Sequence, residues 1–470
     1  MIKSLKRLSI ILMLFLSIMY LGLRFENLIL PMKFIVLLAY FITILLSYLN
    51  NQMITFLFLG SLFLFQYGRI ILLPLFGYEV EMTWFHYIKF SLETDIFVTD
   101  LLFINLLGIY IGNLISKKNN IKLTLSKEKN ENIKKKIIFI LIFLFLPFYF
   151  KFSFEILSTL KNLEYIDYYR IGMSNLNKSN FLEKICYNIY LFTIFFGLSL
   201  KKLSKKEKLF FIILNIINTF FTALRGTRAI FLANICFSIW YLSREKIIKL
   251  DIKKLIIIGI SLFSLIIGLQ NFREKKEVIS NNSSITKILE KVIRSQGTTG
   301  TFLCLLKEKT EIFEKDKIPF IISNLIGLRL KPQNKENSNK IINSNNVVLA
   351  DKMSVTLNRD KYIEGKGMGG NYIIEMFDLG GKFGIIFLST ILTLFLNFID
   401  RNYNSFSWIT RSFFIFIIPK IFLIPRFNYF IYIPIKDLIR FLFVYFLIIV
   451  LSEILKNKKM ESNFEKRNIN

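Results

Sequence analysis

Two arginines, Arg225 and Arg228, stand three residues apart between apolar runs at 209–223 and 229–242, with Gly226 beside them. Paired guanidinium groups suit a phosphate or diphosphate, because each presents a planar fork of donors and keeps its charge. The same pair also suits the end of a helix, where arginines snorkel to lipid headgroups. A second cluster lies late in the chain. Gly369, Gly370 and Asn371 precede Glu375, Asp378, Gly380, Gly381 and Gly384. Glycine just before a helix lets backbone approach a ligand, and helix N-terminal amides favour an anion. Glu375 and Asp378, three apart, share one face of a helix, where a carboxylate can act as general base toward a hydroxyl. Without a ligand the run reads as a glycine-rich turn with two solvated acids.

Composition sets the architecture around these residues. The chain has 470 residues, of which 53% are hydrophobic, and a formal net charge of +29. The apolar residues come in long runs rather than at helical or strand spacing, which makes this an all-α, polytopic integral membrane protein. The runs at 8–23, 34–49, 53–76, 96–115, 137–150, 186–200, 209–223, 229–242, 255–269, 383–399, 409–424 and 438–451 give about 12 transmembrane helices. Nine of them fall within 1–269. A large extracytoplasmic loop occupies 270–381, three more spans fill 382–452, and 453–470 is a tail.

Most of the lysine lies in short loops between the runs, where it reports membrane orientation rather than affinity for nucleic acid. Placing the N-terminus in the cytoplasm puts the basic stretches 117–136, 201–208 and 244–254 and the C-terminal tail all inside. Arg69, Arg170, Arg225, Arg228, Arg273 and Arg329 then face outward with the long loop. Residues 284–293 of that loop have apolar positions at helical spacing, which suits a surface helix. Residues 318–328 are apolar but too short to span. Three cysteines without zinc spacing and the single His86 offer no metal site, and no cofactor motif is present; the glycine run fits neither the Walker nor the Rossmann spacing.

The arginine pair between two spans, the large outer loop, and the run Gly369-Gly370-Asn371 … Glu375 … Gly380-Gly381 … Gly384 resemble the Wzy-type O-antigen polysaccharide polymerases. The topological resemblance covers nearly the whole chain; the motif resemblance covers these two stretches. It implies a polymerase of undecaprenyl-diphosphate-linked oligosaccharide repeat units in the bacterial inner membrane, working at its outer face without a metal. Its partners would be the lipid-linked glycan, membrane lipids and a chain-length regulator protein. Breaking a sugar–diphosphate bond develops negative charge on the leaving group, and fixed cations must then answer it. Arg225 and Arg228, joined by Arg170 and Arg69, are the candidates, with Glu375 and Asp378 as the catalytic acids and Gly369, Gly370 and Asn371 as loop backbone. The related O-antigen ligases bring a histidine in their outer loop; here none follows His86. A lipid-linked oligosaccharide flippase is the other alternative, although charges within the spans are few and no internal repeat supports a transporter.

Overall fold

A computed structural model describes residues 2–116 except 84, then 130–161, 181–224, 228–249, 285–313, 318–326, 347–363, 367–429 and 435–468, with scattered positions between 251 and 268. It is almost entirely helical, apart from one small two-stranded ribbon pairing Glu81–Met82 with Ile88–Lys89. Eight described helices are long and apolar enough to cross a membrane: Ser4–Phe25, Ile29–Leu49, Met53–Leu75, Leu92–Ile115, Glu131–Glu155, Lys205–Leu224, Tyr372–Ser405 and Asp437–Asn457. The remaining expected spans fall on shorter helices, Phe181–Leu198, Arg228–Arg244 and Trp408–Ile421, or, at 255–269, largely outside the described residues.

The chain divides into two compact units that interleave in sequence. The first comprises Met1–Asn120, Ile279–Arg401 and Ile421–Tyr432. Its central seam joins the Leu92–Ile115 helix to the Tyr372–Asn402 helix. Lipid tails are as apolar as leucine, so helices in a bilayer associate through close packing and shared polar groups rather than through a hydrophobic drive. Both devices are present. Gly108 and Gly112, four apart, bring backbone against the partner helix: a Cβ on Gly108 would stand 2.7 Å from the Ile386 carbonyl, and one on Gly112 would stand 2.6 Å from Thr393 Cβ. Along the same seam Asn105 donates to Ser389 (2.7 Å), Thr390 to the Gly108 carbonyl (3.0 Å) and Asn397 to Asn113 (3.2 Å). Asn113 donates in turn to Ser47, and Thr55 to Asn397, which ties in the second and third helices. Asp400 accepts the backbone N–H groups of Met53 and Ile54, answering the unpaired amides at that helix start with a negative charge.

Two departures from regular helix shape this unit. The Met53–Leu75 helix widens into a π-helical stretch over Phe63–Leu72, which carries Gln66 and Arg69. The Tyr372–Asn402 helix breaks at Gly380 and Gly381. Gly381 has φ +58°, which suits glycine, and a Cβ on Gly384 would run into the Met376 carbonyl. A half-helix bearing Glu375 and Asp378 therefore precedes the membrane-length part of the helix.

The second unit comprises Ile121–Val278, Asn402–Lys420 and Ile433–Asn470. Within it Lys205–Leu224 and Arg228–Arg244 form a helical hairpin, with Asn215 donating to Asn234 (3.2 Å) and Phe220 against Phe231. Phe211 fills the space left by Gly197. Trp408 donates its indole N–H to the Phe196 carbonyl, Tyr241 its hydroxyl to Leu198, and Ser199 and Ser412 share a hydrogen bond.

Candidate functional site

In the first unit two arginines, Arg69 and Arg426, converge on one segment, Arg294–Thr298. Arg69 reaches it from the π-helical stretch. It is 5% exposed, and it donates to the Arg294 carbonyl (2.9 Å), the Thr298 hydroxyl (3.3 Å) and the Glu81 carbonyl (2.7 Å). Gly297 makes room for it, since a Cβ there would lie 2.6 Å from Arg69 Cβ. Arg69 thus fastens the segment to the small ribbon, and most of its donors serve the protein itself.

Arg294 closes the Ile285–Gln296 helix, which forms where an amphipathic surface helix is expected from sequence. It pairs with Glu290 (2.8 Å) and Glu81 (3.4 Å) and lies over the Tyr78 ring, with a third of its side chain exposed. The hydrogen bond to Glu290 also holds the Tyr78 phenol above its ordinary pKa. Arg426 approaches from the other side, on the turn after the Trp408–Ile421 helix. It donates to Gln296 (3.2 Å) and lies over Phe65. Arg294 and Arg426 were not singled out by sequence reasoning. A signal existed for Arg426, an arginine directly after an apolar run, as at Arg225.

The glycine run packs against the same turn. A Cβ on Gly369 would lie 3.0 Å from the Arg426 carbonyl, and one on Gly370 2.8 Å from the Phe427 carbonyl. What closely approaches these glycines is therefore the protein's own 426–427 backbone and the Asn428 side chain. Asn371, fully buried, is the junction. Its side-chain Oδ1 accepts the Ile373 N–H (2.9 Å), opening the half-helix, and a long contact from Gln66 (3.4 Å), while its side-chain amide donates to the Thr299 carbonyl (2.8 Å). Tyr372 and Tyr67 both donate to Asn105, joining the half-helix to the glycine seam.

Glu375 is completely buried and accepts the Tyr429 N–H at 2.8 Å. That amide lies three residues beyond Arg426, so one short turn supports both a carboxylate and a cation. Burial pushes the Tyr429 phenol up, and its hydroxyl donates to the Leu388 carbonyl. Asp378 is half-buried and accepts the Phe320 N–H (2.8 Å), capping the short Phe320–Ile326 helix. The two acids share a helix but meet different partners. Among the described residues no three histidine, cysteine or carboxylate groups gather to hold a metal ion.

Arg228 belongs to the second unit, where it is the first residue of the Arg228–Arg244 helix and half-buried. Arg225 and Arg170 lie outside the described residues.

A family-wide sequence profile described as O-antigen polysaccharide polymerase Wzy matches residues 6–459. The chain belongs to that family. Membership in the Wzy family, with the long apolar helices, makes this a multi-pass membrane protein of polysaccharide biosynthesis. No curated protein and no solved structure matches the chain. The Wzy match spans both units, so the arginine-rich segment, the half-helix and the Arg228 hairpin all lie within it.

Proposed function

We propose that this Wzy-family chain joins undecaprenyl-diphosphate-linked repeat units into O-antigen or another surface polysaccharide, at the outer face of the bacterial inner membrane, with both termini cytoplasmic. The observation that carries the reading is the family match over 6–459. The chemistry is a metal-independent displacement. A hydroxyl at the non-reducing end of the incoming unit attacks the anomeric carbon of the growing chain, and the bond from that carbon to the diphosphate oxygen breaks. The electron pair leaves with undecaprenyl diphosphate, and the hydroxyl proton passes to a carboxylate.

Glu375 takes the role of that base. It sits on a half-helix whose entry is fixed by Asn371 and whose carboxylate is oriented by the Tyr429 amide. Asp378 supports the approach by holding Phe320–Ile326 in place. Arg294 and Arg426 supply cations on the segment that Arg69 positions, Arg426 from the same turn that orients Glu375. In the second unit, Arg225, Arg228 and Arg170 are candidate diphosphate-binding groups in their own right.

Deletion of the gene tests the reading. Single repeat units should still reach the cell surface and be capped onto the acceptor, without lengthening. Accumulation of single units on the cytoplasmic leaflet would instead assign the chain to transport.

A further inference from the structure

Away from the arginine-rich segment, three charged side chains from three helices of the first unit meet at one end of the bundle. Asp100, within the Leu92–Ile115 helix, is buried, with its side chain 7% exposed. It accepts from Tyr20 (2.8 Å), from Arg24 Nε (3.1 Å) and from Lys382 Nζ (3.2 Å). Arg24 stands in the last turn of the first helix, and Lys382 directly follows the Gly380–Gly381 break. The two cations stay open, with side chains 40% and 51% exposed. One carboxylate, already bonded to a tyrosine, faces two cations, so the trio carries a net positive charge toward the outside of the bundle.

Its surroundings are apolar and equally open. Phe25 is 86% exposed, Phe383 76% and Phe387 55%. The Phe383 and Phe387 rings lie one turn apart and nearly parallel, 6.2 Å between centres. A Cβ on Gly380 or Gly381 would meet nothing within 4 Å, so the hinge beside Lys382 borders open space. The trio buries the acid and leaves the cations at the edge of an apolar face, where a long hydrocarbon chain and an anionic head can both be met at once.

We propose that Arg24 and Lys382, gathered on one carboxylate oxygen of Asp100, form a lateral docking site for the diphosphate head of a polyprenyl lipid, with its chain against Phe383 and Phe387. The proposal rests on the polymerase reading for its choice of lipid. It places the head beside the Gly380–Gly381 break, on the other side of which the half-helix carries Glu375. Asp100 is a positioning residue: its Oδ2 draws the two cations together, and it does not touch the lipid.

The test uses the purified full-length protein and native mass spectrometry with undecaprenyl diphosphate, phosphatidylglycerol and inorganic diphosphate as separate probes. The wild type should retain undecaprenyl diphosphate in preference to the other two. Lys382→Ala and Arg24→Ala should each lower retention by roughly tenfold, since each removes a charge-assisted contact, and Lys382→Arg should restore it. Asp100→Asn keeps an acceptor for Tyr20 and removes the competing charge, so retention should hold or rise. Unchanged retention in Lys382→Ala and Arg24→Ala would overturn the site. Equal retention of phosphatidylglycerol, or equal binding of inorganic diphosphate with the same dependence on both cations, would overturn the choice of lipid. Absence of retention by the wild type would overturn the site as well. In each case, continued polysaccharide lengthening in cells would leave the polymerase reading standing.

Discussion

Replacing Glu375 by Gln separates two roles that burial alone leaves merged. The side chain is fully buried and receives the Tyr429 N–H. Glutamine has the same length and keeps a carbonyl oxygen for that amide, so the 426–429 turn should stay in place. What it loses is the ability to take a proton. General-base catalysis contributes typically about 10²–10⁴-fold, so Glu375→Gln should abolish long chains at normal protein level. Glu375→Ala removes the acceptor too. A buried amide left without a partner costs about 1–3 kcal/mol, and the methylenes lost add a cavity, so this variant should fall in both protein level and thermal stability. The measurement is glycan length on a gel beside an immunoblot of the membrane fraction. Long chains in Glu375→Gln would refute the base assignment and leave Glu375 as a support for the turn.

Arg225→Ala with Arg228→Ala should abolish long chains, and the lysine versions should leave shortened ones, because lysine lacks the planar fork; Lys201→Ala and Lys206→Ala are the controls, and normal chains in the double alanine variant would exclude the pair. Arg69→Lys should lower the melting temperature and the polymer yield together, since a buried ammonium cannot serve the Arg294, Thr298 and Glu81 acceptors from one plane; loss of activity with unchanged melting would make Arg69 a substrate contact instead. Gly112→Val should destabilise the glycine seam by about 1–3 kcal/mol, read as a lower melting temperature in detergent, because its Cβ would meet Thr393 Cβ and the Thr390 carbonyl.

The helices were legible because apolar runs leave little choice of structure in a bilayer. The eight membrane-length helices fall on expected runs, and the end of the glycine run does mark a break, at Gly380–Gly381. The site was less legible. Glu375 and Asp378 have the spacing of a shared face, yet their partners, Tyr429 and Phe320, lie more than fifty residues away in opposite directions. No local pattern specifies such pairings. The π-helical stretch under Arg69 likewise depends on what packs against it, including Gly300 beside Gln66. Gly108 and Gly112 did carry a readable signal, the small-x-x-x-small spacing of membrane helix interfaces, which composition alone hid. Charges within spans and at their ends proved more telling than their small number suggests: Asp100, inside the 96–115 run, and Asp400, just past the 383–399 run, each organise a helix junction.

The most direct test of polymerisation is reconstitution of the purified protein in liposomes with a single lipid, the undecaprenyl-diphosphate-linked repeat unit, in the presence of EDTA. A ladder of lengthened glycans should form, with one undecaprenyl diphosphate released for every new glycosidic bond. Repeat units that stay single, whether or not they cross the bilayer, would contradict the assignment.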